Sequence, residues 1–530
     1  MRRTCLLSAV LIALASPAFA YVTTPAIFFD HMVLQRGMDV PVWGWADPGE
    51  KVTVSFAGQE VTATADADGN WSVRLAPLAA SDEPRELVVA GSANEERFSD
   101  VLVGEVWVCS GQSNMQWPVQ ASQDAEGEIA AADLPRIRLF TVQNVTADEP
   151  QRDTKATWKV CTPESVRDFS AVGFFFGRSL LEHLDVPVGL IDSSWGGTPA
   201  ESWTSRERLL EHHLLRPIVR QWDRWVEGYD PDKAREEHEA RLEEWKKQAE
   251  VAREAGEQPP RLPRLNDPRT NPHRPASLYN AMIAPIIPYA IRGAIWYQGE
   301  SNAGRAFQYR TLFPVMIRDW RDRWGQGDFP FLFVQLANFL AVQQQPVQAD
   351  ATWPFLREAQ LLTLELPDTG MASAIDVGEA ENIHPKNKQE VGRRLALAAR
   401  ALAYGEDVVY SGPIARADRA KIQDGKAVLT FDHVGSGLRA INRALPEGAP
   451  QDLPESQLLG FAIAGEDRQW HWARAEITGP DTVVVWSEAV PEPVAVRYGW
   501  ANNPFGNLEN SGGLPASPFR TDAWPGRDGR

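Results

Sequence analysis

At 530 residues the chain is too long for one ordinary core, so roughly two to four domains are expected. Apolar residues make up 43% and charged residues 23%, an ordinary globular balance that excludes disorder as the default. The formal charge of -18 excludes nucleic acid and anionic membrane as the expected main partner.

Residues 1–20, MRRTCLLSAVLIALASPAFA, have a basic start, an apolar middle and an Ala18-Phe19-Ala20 end. This is the three-part pattern of a secretory signal. The apolar run is too short for a membrane anchor, and no later stretch reaches about 20 apolar residues. The mature chain is therefore expected to be soluble, without a membrane anchor, and periplasmic or secreted. Cys5 falls within the signal, which leaves Cys109 and Cys161. In an oxidising compartment they form one disulfide or remain two buried thiols. No Cys/His cluster has metal-ligand spacing, so no metal is expected.

Residues 21–103 read as an N-terminal β-sandwich. Lys51–Phe56 and Val61–Ala65 alternate apolar and polar side chains, and Asp68-Gly69 turns the chain before Trp71–Leu75. From 104 the texture changes to apolar runs separated by helical patterns, at 105–108, 186–191, 294–297, 331–334 and 371–375. Nearly continuous apolar strands of this kind predict a parallel sheet covered on both faces, and the α/β class. Residues 205–275 interrupt it with a charged helical insertion that Asp230-Pro231 opens. After Pro385, Val391, Leu395, Ala398 and Leu402 share one helical face, with Gly405 placed to end the helix. Residues 406–530 return to strand patterns in AVLTFDHV, TVVVWSEAV and VAVRYGW. Most of the 20 tryptophans read as core residues, although indole faces also suit sugar rings.

Ligands of open α/β sheets bind at the carboxyl ends of the strands. Four polar loops follow the apolar runs: Gly111–Met115, Ser194–Thr198, Gln298–Asn302, and the segment from Asp376 to His384-Pro385. Together they meet the needs of acyl transfer. A serine hydroxyl needs a base to take its proton, and the tetrahedral intermediate needs donors for its oxyanion. Ser113 is the candidate nucleophile and His384 the candidate base. The N–H groups of Ser113 and Gly197, with the Asn302 amide, are candidate oxyanion donors. Taken singly, each feature also reads as a turn, a cap or a surface histidine. It is their joint occurrence at successive strand ends that carries the reading.

Ser113, Gly197, Asn302 and His384 resemble the four invariant residues of the SGNH hydrolases. CSGQSNM, WGGT, WYQGESN, IHPKNK, RYGWANNP and GLPASPFRTD are similar to motifs of the bacterial sialate O-acetylesterase family of carbohydrate esterases. The resemblance covers nearly the whole mature chain. It implies a flavodoxin-like, three-layer SGNH domain over 104–405, flanked by β-rich accessory domains at 21–103 and 406–530. It also implies hydrolysis of O-acetyl esters on sugars, with an acetylated glycan as the partner and no cofactor. SGNH enzymes usually carry Asp three residues before the histidine, where this chain has Glu381. Glu381 is taken as the triad acid, Asp376 is the alternative, and a Ser–His dyad is the third arrangement. A catalytically weak glycan-binding module and a short-chain lipase or thioesterase are the competing functions. The sugar itself, whether sialic acid, xylan, xyloglucan or another, is left open by the sequence.

Overall fold

The computed structural model describes residues 21–442, 449–450 and 458–525. The segment expected to be a signal, 1–20, lies outside them.

The central sheet is built from β1 (Glu95–Gly111), β2 (Leu134–Thr141), β3 (Trp158–Cys161), β4 (Val188–Ser194), β5 (Gly293–Tyr297), β6 (Phe331–Gln335) and β7 (Thr369–Ser373). Their spatial order is β7-β6-β5-β1-β4-β2-β3. Every neighbouring pair from β7 to β2 is parallel, and β3 pairs antiparallel to β2 at the edge. Strands β4, β5 and β6 are buried along their whole length, as continuous apolar runs require when both faces are covered.

The register shows how the two faces are filled. Gly293 in β5 aligns with Trp107 in β1, so both point to one face, where Trp107 meets Phe176 of the helix Ala171–Leu184. Trp296, three residues beyond Gly293, points to the other face and meets Phe313 and Trp320 of the helix Ala306–Trp324. The helix Lys388–Leu402 buries Val391, Leu395 and Ala398, as its periodicity predicted, and Gly405 ends it with φ +69°. Trp107, Trp158, Trp203, Trp296, Trp320 and Trp500 are all fully buried, in line with the core reading of tryptophan.

The N-terminal strands include the hairpin Lys51–Phe56/Gln59–Thr64, turned by Ala57-Gly58 with both residues at positive φ. Beside it, Val40–Trp45 pairs with Asn70–Leu75. The boundary expected at 103/104 falls inside β1, a strand of 17 residues that bends at Asp100, which has φ +54°. Its first part pairs with Ser81–Ala90 of the N-terminal region, and its last part lies at the centre of the α/β sheet. One hydrophobic core runs through both.

Residues 205–275 carry three helices, Arg206–Glu211, Arg216–Glu227 and Pro231–Glu254. The Asp230 side chain caps the third by accepting from the Asp232 and Lys233 amides. The C-terminal strands form a second core around Leu429, Ile463, Val483 and Phe519. Its RYGWANNP stretch docks on the α/β sheet through Arg357. This fully buried side chain donates to the carbonyls of Leu336, Ala337, Ala501 and Asn502. Burial alone lowers the Arg357 pKa, to about 9. Among the described residues no helix is long and apolar enough to cross a membrane.

Candidate active site

Because β1, β4, β5 and β7 run parallel, the four polar loops leave the sheet at one edge. At the end of β1, Gly111 has φ +137°, and a Cβ there would lie 2.2 Å from the Tyr297 carbonyl oxygen. Only glycine allows the two strands to approach this closely. The chain then enters the single turn Ser113–Gln116.

The amides around Ser113 tie the loops together. Gln112 Oε1 accepts from the Gly299 and Ser301 amides at 3.4 and 3.2 Å, which holds the β5 loop. Gln116 Oε1 accepts from the Gly196 amide at 2.8 Å, which holds the β4 loop. Asn114 Nδ2 donates to the Ile383 carbonyl at 3.0 Å, which holds the loop after β7. The polar residues flanking Ser113 are thus three ties, one to each neighbouring loop.

His384 Nε2 stands 2.9 Å from Ser113 Oγ, so the candidate base and nucleophile meet although 271 residues separate them. Trp117 stacks on the imidazole, with ring centroids 4.8 Å apart and an interplanar angle of 20°. Burial, followed by the positive charge of Lys388, lowers the His384 pKa below its ordinary value. Both effects favour the neutral ring, the form that can accept a proton.

The candidate acids lie elsewhere. Glu381 is exposed, and among the described residues nothing hydrogen-bonds His384 Nδ1. The local cause is Asn382, whose side chain accepts from the His384 amide and donates to the His384 carbonyl. This tight turn leaves Glu381 on the solvent side. Asp376 holds Arg394 in a bidentate pair at 2.6 and 2.9 Å.

Besides the Ser113 N–H, the candidate oxyanion donors come from the β4 and β5 loops. Gly196 packs on Ser113, since a Cβ there would lie 3.3 Å from Ser113 Cβ. Gly197 has φ +78° and open space where a Cβ would stand, and its N–H has no partner among the described residues. Asn302 is buried. Its Oδ1 accepts from the Ala200 amide and Gln298 Nε2, which fixes the amide orientation. Its Nδ2 donates to Glu201 Oε2 at 3.0 Å and keeps a second hydrogen.

Sequence reasoning missed Glu201, Glu300, Asn382 and Lys388. Glu201 follows Gly197 by four residues and Lys388 follows His384 by four, but a charged side chain read from sequence is taken as solvated. Cys109 and Cys161, left open between a disulfide and thiols, are both buried free thiols. Among the described residues no group of three or more His, Cys, Asp or Glu is placed to hold a metal ion.

The family model described as "Carbohydrate esterase, sialic acid-specific acetylesterase" matches residues 103–228 and 269–401. The stretch it leaves out contains the charged helix Pro231–Glu254. A sialate O-acetylesterase from Homo sapiens is 32% identical over 546 residues, covering 94% of this chain and 92% of that protein. One from Mus musculus is 30% identical over 538 residues, covering 92% of each. The crystal structure of a carbohydrate acetylesterase from Xanthomonas citri is similar at 39% identity and TM-score 0.77, covering 95% of this chain and 100% of that one.

Proposed function

Because the chain belongs to the sialic acid-specific acetylesterase family of carbohydrate esterases, we propose that it is an exported serine esterase that deacetylates sugars through an acetyl-Ser113 intermediate in an SGNH-type domain. Family membership makes it a carbohydrate O-acetylesterase. The residue roles, the compartment and the sugar are the proposal.

Ser113 Oγ attacks the acetyl carbonyl while His384 Nε2 takes its proton. The carbonyl oxygen becomes an anion that accepts from the Ser113 and Gly197 N–H groups and Asn302 Nδ2. The intermediate collapses, the ester C–O bond breaks, and His384 returns the proton to the departing sugar oxygen. Water then attacks acetyl-Ser113, with His384 as base again, and acetate leaves. Trp117 stacking and the Asn382 turn orient the imidazole, and the pair works as a dyad. The observation that carries this reading is the 2.9 Å contact between Ser113 Oγ and His384 Nε2 at the edge where four loops converge. The relatives' names favour O-acetylated sialic acid as the sugar. Export rests on the signal pattern of residues 1–20.

The test is acetate release from acetylated sialic acid, xylan and xyloglucan by the wild type and by Ser113→Ala. Loss of a nucleophile of this kind costs on the order of 10⁴-fold or more in turnover. Activity of the variant within a few-fold of wild type would overturn the role of Ser113. A preference for long-chain p-nitrophenyl esters over the acetate would favour a lipase-like enzyme, and sugar binding without hydrolysis would favour a binding module.

A further inference from the structure

Lys388 is fully buried, yet no carboxylate lies within ion-pair distance of it among the described residues. Its Nζ donates to Asn114 Oδ1, and it faces the rings of Tyr297 at 5.3 Å and Trp117 at 5.8 Å. On the other side of the same amide, Asn114 Nδ2 donates to Glu300 Oε1 at 2.6 Å. Glu300 Oε2 is buried without a hydrogen-bond partner among the described residues. A cation and a carboxyl group are thus buried at opposite ends of one amide dipole. The arrangement permits only one orientation of that amide, with oxygen toward Lys388 and nitrogen toward Glu300. The second Nδ2 hydrogen then goes to the carbonyl of Ile383, the residue before His384. Asn114 itself is the residue after Ser113.

We propose that Lys388 and Glu300 are positioning residues that act through Asn114 to hold Ser113 and His384 in register, with the Lys388 charge set against the Trp117 ring that stacks on His384. This inference rests on the Ser113–His384 reading above. It adds to the Trp117 stacking and the Asn382 turn a second device that fixes the geometry without a carboxylate on Nδ1. Burying an ammonium that no carboxylate pairs is costly, so its place beside the base calls for a function. Burial lowers the Lys388 pKa to about 7, while Glu300 and Glu379 oppose the shift. The other charged groups near His384 are Glu381 and Lys386, both exposed in its own loop, and Glu379, which holds the Lys386 amide and Asn382.

The experiment is the pH profile of acetate release by the intact enzyme, with Ser113→Ala as the control for the underlying reading. Lys388→Met is expected to lower kcat by roughly 10–10²-fold with little change in KM, as a misplaced base does. Its acidic limb in kcat/KM is expected to move to higher pH, because a cation near the base has been removed. Asn114→Ala is expected to lower kcat similarly but leave the limb in place, since the cation remains. Glu300→Gln, which still accepts from Asn114, is expected to lose only a few-fold, and Glu300→Leu as much as Asn114→Ala. If Lys388→Met does not fold, Lys388→Gln, whose amide can still donate toward Asn114, carries the pH half of the test: kcat falls only a few-fold while the acidic limb moves to higher pH. An acidic limb that stays in place, or a rise in KM with kcat unchanged, overturns the inference. An active Ser113→Ala instead overturns the reading beneath it.

Discussion

Asp192 offers a test of the buried electrostatics next to the site. It lies in β4, aligned with Cys109 of β1, and its carboxyl accepts from Ser194 Oγ at 2.6 Å. Burial, only partly offset by that bond, pushes its pKa up to about 7 from an ordinary 3.8. The folded state therefore binds a proton that the unfolded state has lost between those two values. Stability falls as pH rises through this window and stays reduced above it. A gap of about three pH units, at about 1.36 kcal/mol each, corresponds to ~4 kcal/mol at pH 8. Asp192→Asn removes the ionisation but adds amide donors that need partners, at a cost of about 1–3 kcal/mol. The variant is expected to be more stable than the wild type by ~1–3 kcal/mol at pH 8, and equal or less stable at pH 4.5. The assay is apparent melting temperature for both proteins across pH 4.5–8, since two cores do not license a two-state free energy. Parallel curves for the two proteins would refute a carboxyl that titrates late.

Asn302→Ala is expected to lower kcat by roughly 10²–10³-fold with KM nearly unchanged, as loss of an oxyanion donor does. A change confined to KM would make it a substrate ligand. Glu381→Gln is expected to keep turnover within a few-fold at all pH values, because the side chain is exposed and among the described residues makes no hydrogen bond to His384. A loss of about 10²–10⁴-fold would make Glu381 the triad acid. EDTA is expected to leave acetate release unchanged, and inhibition reversed by a divalent cation would contradict this. Arg357→Lys is expected to destabilise the protein by several kcal/mol, read as an earlier thermal transition, because one ammonium cannot replace a fork that serves four carbonyls.

Much of this architecture was legible in the residues. The apolar runs at 105–108, 294–297 and 331–334 became interior strands because a strand buried on both faces has no polar side to show. Ser113 and His384 were legible as a pair only through the strand-end rule and the family motifs, since 271 residues separate them. Glu381 shows the limit of spacing. Three residues before a histidine places a carboxylate within reach of the ring, but the Asn382 side chain decides which way the turn faces. Lys388 and Glu300 were illegible for a different reason. Burial of a charge is a tertiary property, and only the assembled loops create the amide that holds both.

The 17-residue strand β1 also bears on how such enzymes can be recombined. At about 3.3 Å per residue it could reach at most roughly 55 Å, from the N-terminal sheet through the bend at Asp100 to the threshold of Ser113. No linker separates the two regions, so a gene fusion that exchanges the N-terminal part must cut through a hydrogen-bonded ladder. The pairing of Val33–Gln35 and Ser81–Ala90 with β1 would then be rebuilt by a foreign partner, and a register error would propagate along the same backbone to the nucleophile. The C-terminal region has a separate core and meets the α/β sheet through discrete ties such as those of Arg357, whereas the N-terminal region shares both its core and a strand with the serine.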